Sequence, residues 1–226
     1  MDSVRHETAV RVPRLKEVIG ALPVLTHETA VLGLDEDGVP VLWNLQDPAV
    51  GALLVVGETL GQAQQPLWVM RESLLAGNTP ATVRMLWVGE GQGDALTEVI
   101  SPYTRALEET IKRLGDLVES RAHGRLRGES VVLFLSDLVR ALQVDWDAYY
   151  LLEYLVRRGA EQKVWVVAAL EAGRADERVW RWVGRFRTHL VGPLGDMAVR
   201  RRLGVPESEF WQVRTKGRWV SLVLPR

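Results

Sequence analysis

LLVVGETLGQAQQPLWVMRESLL, Leu53 to Leu75, is an apolar run that stops at a glycine and resumes with helical spacing. Ala52 to Val56 is continuously apolar, as a strand buried on both faces requires. Beyond Gly57, Leu67, Met70 and Leu74 stand three and four apart, so they share one helix face. Pro66 suits a first helical turn, and Gly77-Asn78 closes the helix. A strand, a glycine turn and a helix form the setting in which nucleotide-binding proteins curl backbone amides around phosphate. A working GxxxxGK[ST] loop also needs a lysine for the β and γ phosphates and a hydroxyl for magnesium. Counted from Gly57, Gln62, Ala63 and Gln64 occupy those places; counted from Gly61, Gln62 and Ala63 do. By spacing alone, a glycine-containing turn between strand and helix accounts for the stretch.

Upstream, AVLGLDEDGVPVLWNL (Ala30 to Leu45) predicts a hairpin turning at Asp35-Glu36-Asp37-Gly38. Downstream, Thr82 to Val88 reads as a second buried strand, and the loop GEGQGD follows with glycines two apart, unlike a dinucleotide fingerprint. Ser101-Pro102 starts a long helix with Leu107, Ile111, Leu114 and Val118 inward and Glu108–Lys112 and Glu109–Arg113 pairs outward. Ser130 to Leu135 is a third strand, central to a sheet. Asp145 caps a helix that runs to Arg158 and stops at Gly159, with Leu151, Leu152, Leu155 and Val156 inward. Lys163 to Leu170 is a fourth strand. A helix from Ala175 to Arg187 precedes a fifth strand, THLVG, and two runs joined around Thr215-Lys216-Gly217 make a closing hairpin. The alternation predicts an α/β fold: a mostly parallel sheet with helices on both faces and antiparallel pairs at entry and exit. Residues 1–29 form the one segment expected to be separate from a domain spanning 30–226.

With 226 residues the chain can bury roughly 70% of its unfolded surface without disulfides or metal. A net charge of −1 provides no overall pull toward nucleic acid or an anionic membrane. The absence of cysteine excludes disulfides, thiolate metal sites and cysteine nucleophiles. No apolar run reaches about 18 residues and no leader pattern follows Met1, which predicts a cytoplasmic protein without a membrane segment. Among nine tryptophans, Trp43, Trp87, Trp165 and Trp219 lie in strand-like runs and are expected in the core or at sheet edges.

Taken in order, VLGLDEDGVPVLWNL, LLVVGETLG, ESLLAGNTPATVRMLWV, ALTEVISPYTRALEETIKRLGDLVESR, ESVVLFLSDL and VWVVAAL resemble the motor domain of FtsK/HerA-type P-loop ATPases, a group of DNA translocases and type VII secretion ATPases. The resemblance runs from about Ala30 to Arg226 and implies a RecA-like core with ATP at the C-terminal ends of parallel strands. It also exposes losses. The loop lacks lysine and hydroxyl. The strand that ends in adjacent acids in the family reads VVLFLSDL, and the sensor strand reads VVAALEAG. In the natural alignment Leu133 to Leu135 cover the acidic pair; a two-residue slide makes Asp137 an acid at the strand end. Without lysine and hydroxyl, one carboxylate cannot position magnesium or neutralise developing charge for phosphoryl transfer.

The resulting expectation is a pseudo-ATPase that serves as an assembly or binding module, with no cofactor and with a protein partner or another copy of itself. The alternative is a weak nucleotide-binding ATPase that uses ATP and magnesium through Gly57, Thr59, Gly61, Gln62 and Asp137, or a DNA-binding translocase-like protein. Arg174, Arg178, Arg181 and Arg185, spaced as one helical stripe, and Arg200-Arg201-Arg202 are candidate DNA or partner surfaces. A solvated helix face explains the stripe equally simply. His6, His27, His123 and His189 show no ligand spacing, so no metal site is expected.

Overall fold

The computed structural model describes residues 12–22, 27–215 and 217–226. Its elements are α1 (Leu15–Ala21), β1 (Thr29–Leu34), β2 (Pro40–Asn44), β3 (Leu53–Gly57), α2 (Leu60–Gly77), β4 (Val83–Val88), β5 (Thr97–Ile100) and α3 (Thr104–Ala122). They continue with β6 (Ser130–Leu135), the single turn α4 (Leu138–Ala141), α5 (Trp146–Arg158), β7 (Val164–Glu171), α6 (Glu177–Val183), β8 (Thr188–Val191), α7 (Met197–Leu203), β9 (Trp211–Thr215) and β10 (Arg218–Leu222).

Eight strands form one sheet in the order β10-β9-β8-β3-β7-β6-β4-β5. The pairs from β8 to β5 are parallel, and β9 and β10 add antiparallel strands at one edge. Strand alternation sends Leu53 and Val55 to one face and Leu54 and Val56 to the other. On the first face α2 and the antiparallel β1–β2 hairpin bury Leu67, Met70, Leu74, Ala30, Leu32 and Trp43. On the second, α3, α5 and α6 bury Ile111, Leu114, Leu152, Leu155, Val179 and Trp182. A hairpin alone cannot hold its register, and Ser73 ties this one down: its Oγ accepts from Val31 N (3.0 Å) and donates to Met70 O (2.9 Å).

Of the segment expected to stand apart, residues 1–11 and 23–26 lie outside the described residues, as does Lys216 in the closing turn. In the described part, α1 sets Leu15, Val18 and Leu22 against Val31 and Leu34. Leu15 N donates to Arg226 O at 2.8 Å, and Arg226 N donates to Pro13 O at 3.0 Å.

Several local expectations need correction. Pro66 is not in a first turn, because α2 already begins at Leu60 and encloses it. The helix expected over Ala175–Arg187 is α6 alone; Asp176 caps it by accepting from Val179 N (2.8 Å), and it ends at Val183 before Gly184. The outer charges of α3 pair mostly across space rather than along the helix. Lys112 bonds Asp145 (3.0 Å), Arg113 reaches Glu98 (3.4 Å), and Glu109 pairs with Arg105 (3.0 Å). Four short elements, α1, β5, α4 and α7, have no counterpart in the sequence reading. At four residues, TEVI pairs only with β4 and bears polar residues at its start, so it carries little pattern.

Candidate functional site

β3, β7 and β6 end side by side, with Gly57 in register with Glu171 and Leu135 with Ala168. Open parallel sheets hold ligands at this edge. Here it carries the Gly57 turn, the start of α2 and the residues after β6.

The turn is short, since only Glu58 and Thr59 separate Gly57 from the first helical residue. Three amides around it are engaged. Glu58 N donates to Gln62 Oε1 (2.6 Å), Gln62 N to Thr59 Oγ1 (3.2 Å), and Ala63 N to Thr59 O (3.0 Å). Thr59 thus caps the helix through Gln62 N, and the Gln62 side chain reaches back to the amide one residue before the cap. A Cβ on Gly57 would lie 2.7 Å from Ala63 N and 3.0 Å from Thr59 O, so close helix-to-strand packing is enough to demand glycine there. Gly61 faces open space.

Ala63, at the lysine position counted from Gly57 and the hydroxyl position counted from Gly61, is fully buried in the core beneath the loop. Gln64, in the place of the hydroxyl, donates from Nε2 to Ser136 O (2.9 Å) and clamps α2 directly onto the end of β6. Asp137 has both oxygens committed: Oδ1 accepts from Arg140 N (3.2 Å), capping α4, and Oδ2 accepts from Arg174 (2.7 Å). Glu58 directs its carboxylate to Gly195 N (2.9 Å) in the loop after β8, in a hollow shared with Glu209 and the Arg200–Glu207 pair, so a second carboxylate stands beside the turn. The residues present do not fit magnesium and a triphosphate: no lysine or hydroxyl stands at the counted positions, and Asp137 is committed to Arg140 N and Arg174.

Beside the turn a cavity of about 240 Å³ opens at the ends of β4 and β6, floored by Trp68 and Trp87, whose rings lie 4.1 Å apart. Gly89 (φ +150°) closes over it, and a Cβ there would meet Ser136 Oγ at 2.3 Å. Trp87 Nε1 donates to Glu90 O (3.1 Å). Among the described residues, no group of three His, Asp or Glu side chains is arranged to hold a metal ion.

Arg178, Arg181 and Arg185 line one hollow against α5, whereas Arg174 is engaged elsewhere. Arg174 precedes α6 and pairs with Asp137; Arg178 donates to Leu142 O (2.8 Å) and lies over the Tyr149 ring (4.8 Å). Arg185 follows α6, bonds Glu153 (2.9 Å) and covers Trp182 (5.0 Å). Arg181 makes no hydrogen bond or ion pair among the described residues. On α7, Arg202 grips Glu177 through two bonds (2.7 and 2.9 Å) and covers Trp180, Arg200 reaches Glu207 (3.4 Å), and Arg201 is exposed. The Glu177 carboxyl is held below its ordinary range by that Arg202 hydrogen bond and charge.

Sequence reasoning missed the roles of Gln64 and Glu58, whose partners lie 72 and 137 positions away. It also passed over Trp146, Tyr150 and Tyr154, although their spacing of four opposite an inward apolar face was legible.

Leaving aside the edge strand β5 and numbering along the chain, the parallel strands β3, β4, β6, β7 and β8 stand in the order 5-1-4-3-2, with the glycine turn leading from the first strand into a helix. This is the RecA-like arrangement of P-loop ATPase domains, and the chain has that fold. Its structural neighbours are ATPase domains of FtsK/HerA type. *Thermomonospora curvata* EccC (ATPases 2 and 3), in complex with a signal sequence peptide, aligns with a TM-score of 0.69 and 14% identity over 95% of this chain and 43% of its own. EssC (ATPases 2 and 3) from *Geobacillus thermodenitrificans* gives 0.70 and 18%, over 95% and 44%. The pCW3 conjugation coupling protein TcpA, in its monomer form with ATPγS, gives 0.69 and 14%, over 93% and 68%. The chain therefore spans less than half the length of the EccC and EssC chains. No protein-family model and no curated protein matches the sequence. No helix among the described residues is long and apolar enough to cross a membrane.

Proposed function

We propose that this chain is a nucleotide-silent FtsK/HerA-like domain that acts as an assembly or binding module, joining an active ATPase or further copies of itself. The observation that carries this reading is the Gln64 clamp. Where the fold would set a hydroxyl, a magnesium ion and an acid in line, a side-chain amide bonds directly to the Ser136 carbonyl. The capped turn, the buried Ala63 and the Glu58 carboxylate support the same reading, because phosphoryl transfer depends on positioned positive charge. The cavity beside the turn, about 240 Å³, is also below the roughly 300–1,000 Å³ of ligand clefts.

Titration calorimetry with ATP and magnesium tests the proposal, with no saturable heat expected up to millimolar nucleotide. Micromolar binding that is lost in Thr59→Ala or Asp137→Asn would replace it with the weak-ATPase alternative.

A further inference from the structure

α5 turns three aromatic side chains outward, four residues apart: Trp146, Tyr150 and Tyr154, 71%, 61% and 40% exposed. Trp146 stacks on Tyr150 (5.9 Å, 25° between planes), and Tyr149 is locked behind them by a 2.7 Å bond from Trp182 Nε1 to its hydroxyl. A hollow of about 550 Å³ opens between the rings of Trp146, Tyr149 and Tyr150 and the side chains of Arg178, Arg181 and Arg185. Its carboxylates are already neutralised: Asp145 pairs with Lys112, and Glu153 pairs with Arg185 and Arg157. Arg178 bonds only a neutral carbonyl and an aromatic face, and Arg181 has only a through-space attraction to Glu177, whose carboxylate is already gripped by Arg202, so the hollow keeps an excess of positive charge. Exposed Trp and Tyr beside Arg is the composition of interface hot spots.

The chain bears the complement on its other face. The β1–β2 turn displays Asp35, Glu36 and Asp37, with no cation partner among the described residues, beside Val39 and Leu42, 56% and 41% exposed. Asp35 Oδ1 stiffens the tip by accepting from Asp37 N (3.0 Å) and Val39 N (2.8 Å). The hairpin packs on the α2 side of the sheet, whereas α5 and α6 pack on the opposite side.

We infer that the acidic hairpin tip of one copy docks into the aromatic and arginine hollow of a second copy. Because the two patches lie on opposite faces, the contact is head-to-tail, and repetition produces a ring or a filament rather than a closed two-fold dimer. This inference rests on the assembly role proposed above and names its partner. It is independent of nucleotide, so calorimetry that revived ATP binding would leave it standing.

Sedimentation velocity on the full chain is the test, with melting curves to confirm that the surface variants fold. Species larger than the monomer are expected to grow with concentration and to shrink as salt rises. Trp146→Ala/Tyr150→Ala and Glu36→Lys/Asp37→Lys should each weaken association by at least about 30-fold, the effect of removing hot-spot anchors. Mixed together, these two variants should form a one-to-one heterodimer and nothing larger, since each retains one intact patch. Adding Arg181→Glu to Glu36→Lys/Asp37→Lys should restore assembly. Wild-type protein that stays monomeric to about 100 µM, oligomers that survive both variants, or a mixture without heterodimer would each overturn the inference. So would a monomer whose hollow instead retains a (dT)20 oligonucleotide.

Discussion

Installing a lysine and a hydroxyl at the positions counted from Gly57, by Ala63→Lys with Gln64→Thr, should destabilise the protein without building a nucleotide site. The Ala63 side chain has no exposure and sits in the same buried cluster as Val55, Leu67 and Trp165. Inserting a longer side chain into a packed core costs about 1–3 kcal/mol. An ammonium group there, without a carboxylate, adds several kcal/mol more unless it loses its proton or forces the helix start open. Gln64→Thr removes the bond to the Ser136 carbonyl, about 1 kcal/mol. Together these approach about 4–6 kcal/mol, a large part of the roughly 5–15 kcal/mol that holds a typical domain. At about 2–4 °C per kcal/mol for a chain of this size, the melting temperature should fall by roughly 10–20 °C. Scanning calorimetry and urea titration measure the loss, and titration with Mg-ATP should remain silent. A double variant that melts within about 3 °C of wild type and binds Mg-ATP would refute the reasoning, because it would mean the fold still holds room for the lysine.

Gly57→Val should destabilise by more than about 2 kcal/mol in urea titration, because its Cβ would press on the Ala63 and Thr59 backbone. Glu28 gives a pH signature: burial opposes its ionisation, but the Ser130 hydroxyl (2.6 Å) and Lys163 ammonium (3.1 Å) outweigh burial and hold its carboxyl below the usual glutamate range. That stabilisation is complete above the unfolded value near about 4.3 and is lost as pH falls through the lower folded value. Glu28→Gln should therefore cost stability at neutral pH and differ progressively less from wild type below about pH 4. His189 has the opposite logic, since burial outweighs its bond to the Val183 carbonyl (3.0 Å) and lowers its affinity for a proton. The unfolded chain then binds the proton first, so wild type should lose stability as pH falls below about 6.5, and His189→Gln should lose less between pH 7 and 5.

The strands and long helices were legible because each buries a face, and a buried face leaves a pattern in the residues: continuous apolar runs at Ala52–Val56, Val131–Leu135 and Val164–Leu170, and a three-four spacing in α3 and α5. Elements that bury little were not. β5 is four residues at the sheet edge, α7 buries no side chain fully, and α6 was drawn too long because Arg185 and Phe186 continue its spacing after the chain has turned at Gly184. The helix start at Leu60 was misplaced because a proline looked like a first-turn signal, while the true cap, Thr59, depends on a bond to Gln62.

From residue identities alone, the loop was seen to lack lysine and hydroxyl, and the ordered motifs pointed to a RecA-like sheet. Both are local: a missing side chain or an apolar run is visible in a single window. What occupies the vacated chemistry was decided only by tertiary structure. Gln64 meets Ser136, Asp137 meets Arg174 and Glu58 meets the Gly195 amide across 72, 37 and 137 positions of sequence. Hydrogen bonds and charges act over a few ångströms of space, and no spacing along the chain encodes which distant groups the sheet order brings within that reach.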